Sequence, residues 1–217
     1  ESLWGRWLDS LSVDDKRRLV DTHVTQLVTR YRGRVEAWNV VNEAFTDDGR
    51  IRPYAEGPVN GQRFPNWLAA LGAGYIEQGF RAARAADPVA KLFYNDYGLE
   101  WGDAGTNAKW NAVLTMVRDF RARGVPIDGV GFQAHTAIDA GDPASPTNPE
   151  DLGRLLAGRF RDLAALGLQA RVTEMDVNVD RLPGRPLADR LALQARFYKA
   201  YLRACLEATN CTGFSMW

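Results

Sequence analysis

Two cysteines and two histidines are the whole supply of soft and borderline metal ligands in this 217-residue chain. With no Cys-x-x-Cys among them, neither a structural nor a catalytic zinc site is expected, and no metal or cofactor is called for. An excess of charge of one sign is lacking too. Lys plus Arg and Asp plus Glu are 27 each, so the net charge is zero. Nucleic acids and anionic membranes select basic surfaces, and neither is expected as a partner. No apolar run approaches the roughly 20 residues that span a bilayer. The opening "ESLWGRWLDS" has neither the basic segment nor the apolar stretch of a signal peptide. Absent as well are G-x-G-x-x-G and G-x-x-x-x-G-K-[ST], the turns that cradle phosphates in nucleotide-binding sheets.

What remains is the composition of one globular domain with a real core, 46% hydrophobic and 25% charged. Seven Trp and seven Tyr provide many flat amphipathic rings, which serve sugar clefts, cores and interfaces alike. Cys205 and Cys211, close together in "ACLEATNC", are either a reduced buried pair or a short disulfide. The disulfide would imply an oxidising compartment.

Short apolar runs alternate with longer segments of helical period. "SVDDKRRLVDTHVTQLVTRYRG" opens with Ser12 three residues before Asp15, a cap-like start, and carries Leu19, Val20, His23, Val24, Leu27, Val28 and Tyr31 on one face. Strand-like "VEAWNVVN" follows. Helical "GAGYIEQGFRAARAADP" then leads to strand "KLFYND", and "TNAKWNAVLTMVRDFRARG" leads to "IDGVGFQAH". Asn148-Pro149 starts the next helix, "LQARVTEMDV" is a strand, and a helix near Leu187 to Ala208 precedes "TGFSMW". An opening helix and five strands alternating with four helices predict a parallel sheet with right-handed crossovers. Both chain ends look cut, and a barrel takes about 250 residues. The expectation is α/β: a (β/α)8 TIM barrel, N-terminally and slightly C-terminally truncated, with residues 1–217 as a single partial domain.

The strand ends carry the chemistry. Asn42-Glu43, Asn95-Asp96, Gln133 to His135, and Glu174 to Asp176 all fall at C-terminal ends of strands, the edge where α/β folds build active sites. Two glutamates facing one another across a sugar can divide glycoside hydrolysis, one as acid and one as nucleophile; the retaining reaction wants them about 5–5.5 Å apart. Glu43 and Glu174 are the candidates. Asn42 can donate to a ring hydroxyl, and His135, oriented by Asp176, can hold Glu174. Each residue also has a plainer reading. Glu43 could cap its loop or pair with Arg50 or Arg52, and Glu174 could pair with Arg171, although alternation puts Arg171 on the other face. His135 could be a satisfied structural histidine, Tyr97 and Trp101 loop packing, and His23 a structural helix residue.

"AWNVVNEAF", "FYNDYGLE", "IDGVGFQAH" and "VTEMDV", in that order, resemble the β4 to β7 strand ends of glycoside hydrolase family 10, mainly retaining endo-β-1,4-xylanases on a (β/α)8 barrel. The resemblance implies that Glu43 is the acid/base and Glu174 the nucleophile. It also implies that Asn42, Gln133 and His135 line the −1 sugar site, with Asp176 behind His135. Asn95 and Tyr97 would lie toward the aglycone side. Trp217 would wall the −1 sugar, and Cys205 and Cys211 would form a disulfide. A secreted monomer acting on xylan or xylo-oligosaccharides is implied. Asn39 stands where many members carry Asp, at a position expected to point away from the chemistry. "EGPVNGQRFPNWLAALG" looks like a longer connection than usual. The chain would run from about strand 4 to strand 8, so the subsite residues the family draws from its first three strands would fall outside it. The rival readings are another retaining barrel β-glycanase, such as a cellulase, and a non-catalytic carbohydrate-binding barrel fragment.

Overall fold

The computed structural model describes residues 10–52, 67–102, 107–141, 146 and 148–217. Helix α1 runs Val13–Arg30, and Ser12 caps it by accepting from the Asp15 amide at 3.1 Å, as the Ser-to-Asp spacing predicts. Strand β1 (Ala37–Asn42), a short α2 (Trp67–Leu71), α3 (Gly74–Ala86) and β2 (Lys91–Asp96) follow. Next come α4 (Ala108–Ala122), β3 (Gly129–Phe132) and β4 (His135–Ala137). Helix α5 (Pro149–Ala164), β5 (Gln169–Asn178), α6 (Leu187–Glu207) and β6 (Cys211–Met216) complete the order. Asn148 caps α5 by accepting from the Glu150 amide at 3.0 Å, and Pro149 occupies the first turn, where its missing N–H is no loss.

Every strand pair is parallel. The order across the sheet is β1, β2, β3, β5 and β6, and β4 carries on from β3 along the C-terminal half of β5. Alternating βα units with parallel pairing put all the C-terminal strand ends on one rim. The expected count of five strands is corrected to six among the described residues. The segment "GVGFQAHTA" breaks at Gln133-Ala134, where Ala134 adopts a left-handed φ of 62°. Helix α2 is a further element that periodicity does not announce.

Helical spacing puts Trp110, Val113, Leu114, Val117 and Phe120 on one face of α4, and burial follows that face. All five are buried, and Phe80, Phe160 and Phe197 cover the sheet from α3, α5 and α6. Strand β2 is buried over Leu92–Asp96, with a neighbour on each side. The apolar look of "AWNVVNEAF" predicts a fully buried strand, but β1 lies at the sheet edge and is half-buried. On α1 only Val28 of the apolar stripe is buried, and His23 is exposed rather than part of a core. Most of the long connection beginning at Glu56 lies outside the described residues. Cys205 and Cys211 form a disulfide with Cα atoms 5.2 Å apart, tying the end of α6 to the first residue of β6.

Candidate active site

A cavity of about 760 Å³ opens over the C-terminal strand ends, and both Glu43 and Glu174 face it. Strand β1 delivers its residues through a bulge. The β1–β2 register slips between Asn39 and Val41, so Val40 is an extra residue and Asn39 turns onto the face of Asn42. Strict alternation sends Asn39 away from the chemistry. The bulge overrides it, and Asn39 lines the cavity.

Past Asn42 the chain turns sharply at Glu43, whose φ is 54°. A left-handed conformation at a residue with a side chain costs about 1–2 kcal/mol and persists only where neighbours enforce it. Here the Glu43 amide donates to the Asn95 carbonyl at 2.9 Å, and the Ala44 amide donates to Tyr94 Oη at 3.0 Å. The turn projects the Glu43 carboxyl into the cavity. Its Oε1 accepts from Gln133 Nε2 at 2.9 Å and from Asn42 Nδ2 at 3.2 Å. Arg50 pairs instead with Asp48 at 2.7 Å, and Arg52 donates to the main-chain carbonyl of Glu43 at 3.0 Å.

Glu174 comes from the middle of β5. Its Oε1 accepts from Asn95 Nδ2 at 2.8 Å, and its Oε2 lies 3.3 Å from His135 Nε2. The other ring nitrogen, Nδ1, is 3.1 Å from Asp176 Oδ2. Asp176 is two residues beyond Glu174 on the same face and directly opposite His135 in the β4–β5 register. A ring with a carboxylate at each nitrogen donates to both only when it carries both protons. Arg171, on the opposite face, pairs with Glu36 at 2.5 Å rather than with Glu174.

One chain of amides joins the two carboxylates. Asn42 Oδ1 accepts from Asn95 Nδ2 at 2.8 Å and from Gln133 Nε2 at 3.2 Å, so Glu43, Gln133, Asn42, Asn95 and Glu174 form one network. The resemblance puts Asn95 with Tyr97 on the aglycone side; the structure buries Asn95 at the floor between the glutamates. Its Oδ1 accepts from Thr173 Oγ1 at 2.7 Å and lies against Gly131. A Cβ on Gly131 would collide with that oxygen and sit 2.9 Å from Thr173 Cγ2.

The walls are aromatic. Trp217 meets the His135 ring edge-on, centroids 5.9 Å apart, and Tyr97 and Trp101 line the same cavity. One face of Tyr97 is taken by the Lys109 ammonium, 3.3 Å from the ring centroid, so that face is closed to a ligand. Buried Lys109 also pairs with Asp47 at 2.8 Å and with Asp96 at 3.4 Å. Behind this wall Glu100 is completely buried, neither carboxyl oxygen has a hydrogen-bond partner among the described residues, and burial pushes its pKa up to about 7.

Sequence reasoning therefore missed Asn39, Gly131, Thr173 and Lys109, and left Trp101 as loop packing. The glycine inside a strand, a mark of close approach, was the one local signal that could have pointed to Gly131. Among the described residues no group of three or more His, Cys, Asp or Glu side chains is placed to hold a metal ion. The arrangement, two carboxylates facing one cavity and linked by amides, suits acid and nucleophile chemistry.

The family model described as Glycosyl hydrolase family 10 matches residues 2–217. Endo-1,4-beta-xylanase C of Phanerodontia chrysosporium is 35% identical over 199 residues, which are 92% of this chain and 43% of that protein. Native xylanase 10B from Thermotoga maritima superposes with a TM-score of 0.77 at 34% identity, over 96% of this chain and 56% of the other. Xylanase 10B from Thermotoga petrophila RKU-1, solved in complex with xylobiose, superposes with a TM-score of 0.76 at 32% identity, over 96% and 55%. The chain thus spans about half the length of the relatives it matches. Its parallel βα succession, with these matches, is that of a (β/α) barrel.

Proposed function

The chain belongs to glycosyl hydrolase family 10, and on that premise we propose that Glu43 and Glu174 are the catalytic pair of a retaining endo-β-1,4-xylanase. The observation that carries this reading is the amide network that holds both carboxylates over one cavity while His135 and Asp176 attend only Glu174. Both oxygens of Glu174 are held in place, Oε1 by Asn95 Nδ2 and Oε2 beside His135 Nε2, which suits a nucleophile that must be aimed. Glu43 is held through Oε1 by two neutral amides, and among the described residues nothing bonds its Oε2, the oxygen assigned here to proton transfer.

In the first step a Glu174 oxygen attacks the anomeric carbon as the glycosidic C–O bond breaks, and the Glu43 proton passes to the leaving oxygen. In the second step water attacks the same carbon, gives a proton to Glu43, and releases Glu174 as a carboxylate. Both roles are played by carboxylates, without a metal. Asn42, Asn95, Gln133 and His135 hold the pair and the sugar at −1, Trp217 walls that sugar, and Tyr97 borders the aglycone. A xylo-oligosaccharide is supported as ligand by the xylobiose held in a structural neighbour. An extracellular setting is supported by the Cys205–Cys211 disulfide.

Hydrolysis of xylan by the wild type and by Glu174→Ala tests the reading. The variant should release essentially no reducing sugar, and substantial residual hydrolysis would overturn the assignment. Faster hydrolysis of carboxymethyl cellulose than of xylan would point to a cellulase instead.

A further inference from the structure

The main chain from Glu43 to Phe45 is gripped at successive polar groups, and one residue outside the cavity supplies most of the grip. Arg52 Nε donates to the Glu43 carbonyl at 3.0 Å, and its Nη2 donates to the Phe45 carbonyl at 2.8 Å. The amide of Arg52 donates to the Ala44 carbonyl at 2.7 Å. The same Nη2 reaches Tyr97 Oη at 3.0 Å, and the guanidinium carbon lies 5.8 Å from the Tyr97 ring centroid. Every carbonyl of the Glu43–Phe45 turn therefore ends on Arg52.

Those contacts lie where the backbone is most strained. Glu43 is held at φ 54°, and a relaxed backbone there would swing the carboxyl away from its present place beside Gln133. We infer that Arg52 is a positioning residue for proton transfer by Glu43, locking the turn that aims the carboxyl and tying it to the aromatic wall at Tyr97. The inference rests on the reading of Glu43 as the acid/base. Glu174 is held by other partners, Asn95 and His135, so loss of Arg52 falls on the proton and not on the nucleophile. The planar fork is what lets one side chain serve three acceptors at once. A lysine, a point charge on a flexible stem, cannot do so.

The test compares Arg52→Met and Arg52→Lys with wild type, in the full chain, on two substrates. One is an unactivated xylo-oligosaccharide, whose leaving oxygen needs a proton. The other is a 2,4-dinitrophenyl β-xylobioside, whose phenolate leaves without one. On the first, kcat/KM should fall about 100-fold in both variants, the scale of a misplaced general acid. On the second it should fall by less than about 3-fold, because attack by Glu174 is intact. Equal losses on the two substrates, or no loss on either, would overturn the inference alone. A wild type inactive on both overturns the functional reading and this inference with it. If circular dichroism shows Arg52→Met unfolded, Arg52→Lys decides by the same ratio.

Discussion

Asn95 Nδ2 donates both to Glu174 Oε1 and to Asn42 Oδ1, each at 2.8 Å, and so bridges the strands that carry the two glutamates. A hydrogen bond to a charged group contributes about 1.5–3 kcal/mol. Asn95→Ala should therefore lower kcat by about 10- to 100-fold on an activated xylobioside, with a smaller change in KM. Steady-state kinetics would settle it, and a kcat within about twofold of wild type would mean that the bridge does not support the nucleophile.

Gly131 touches no ligand space, yet it should matter for the same reason. A methyl group there collides with Asn95 Oδ1 and crowds Thr173. Gly131→Ala should lose about 1–3 kcal/mol of stability by overpacking and share the kcat defect of Asn95→Ala. Urea denaturation and kinetics on the same preparation would reveal both effects. Normal kinetics would show that Asn95 shifts without consequence.

Glu100 sets a pH dependence of stability. Its carboxyl has an ordinary value of 4.5 and is pushed up to about 7 by complete burial. Between those values the folded state holds the proton more tightly than the unfolded chain. The stabilisation is therefore fully present below pH 4.5 and is lost as pH rises through about 7. A shift of that size corresponds to about 3 kcal/mol. Glu100→Gln removes the titration, so its stability relative to wild type should rise by about 3 kcal/mol between about pH 4 and about pH 8. Chemical denaturation across that range checks this, and parallel pH profiles would refute it.

The Cys205–Cys211 disulfide closes a short loop, with the cysteines 6 apart in sequence. Chain entropy alone gives it about 2 kcal/mol, or roughly a 5 °C change in Tm for a chain of this size. The double variant Cys205→Ala, Cys211→Ala should melt lower by that amount. Wild type should drop equally in reductant while the variant does not move. A variant Tm equal to that of oxidised wild type would rule out a stabilising role.

Much of this was legible in the chain. Helix α4 is readable because Trp110, Val113, Leu114, Val117 and Phe120 recur at helical spacing, and its burial depends on little else. Glu43, His135, Glu174 and Asp176 could be grouped because parallel strands joined by helices all end on one rim. The illegible residues are those whose positions depend on another strand or loop. Asn39 enters the cavity only through the bulge at Val40, Ala134 breaks β3 from β4, and Lys109 meets Tyr97 from a helix.

By itself, then, the sequence determined the order of strands and helices and the placing of two glutamates on one side of the sheet's rim, Glu43 just past β1 and Glu174 within β5. These are consequences of local periodicity and of the geometry of parallel βα units. Only the tertiary structure decided which polar groups touch: Asn95 with Glu174, Gln133 with Glu43, Arg52 with the carbonyl of Glu43. Contacts of that kind need atoms from distant segments to meet within about 3 Å. That depends on register, bulges and strained turns, which are settled when the strands pack together.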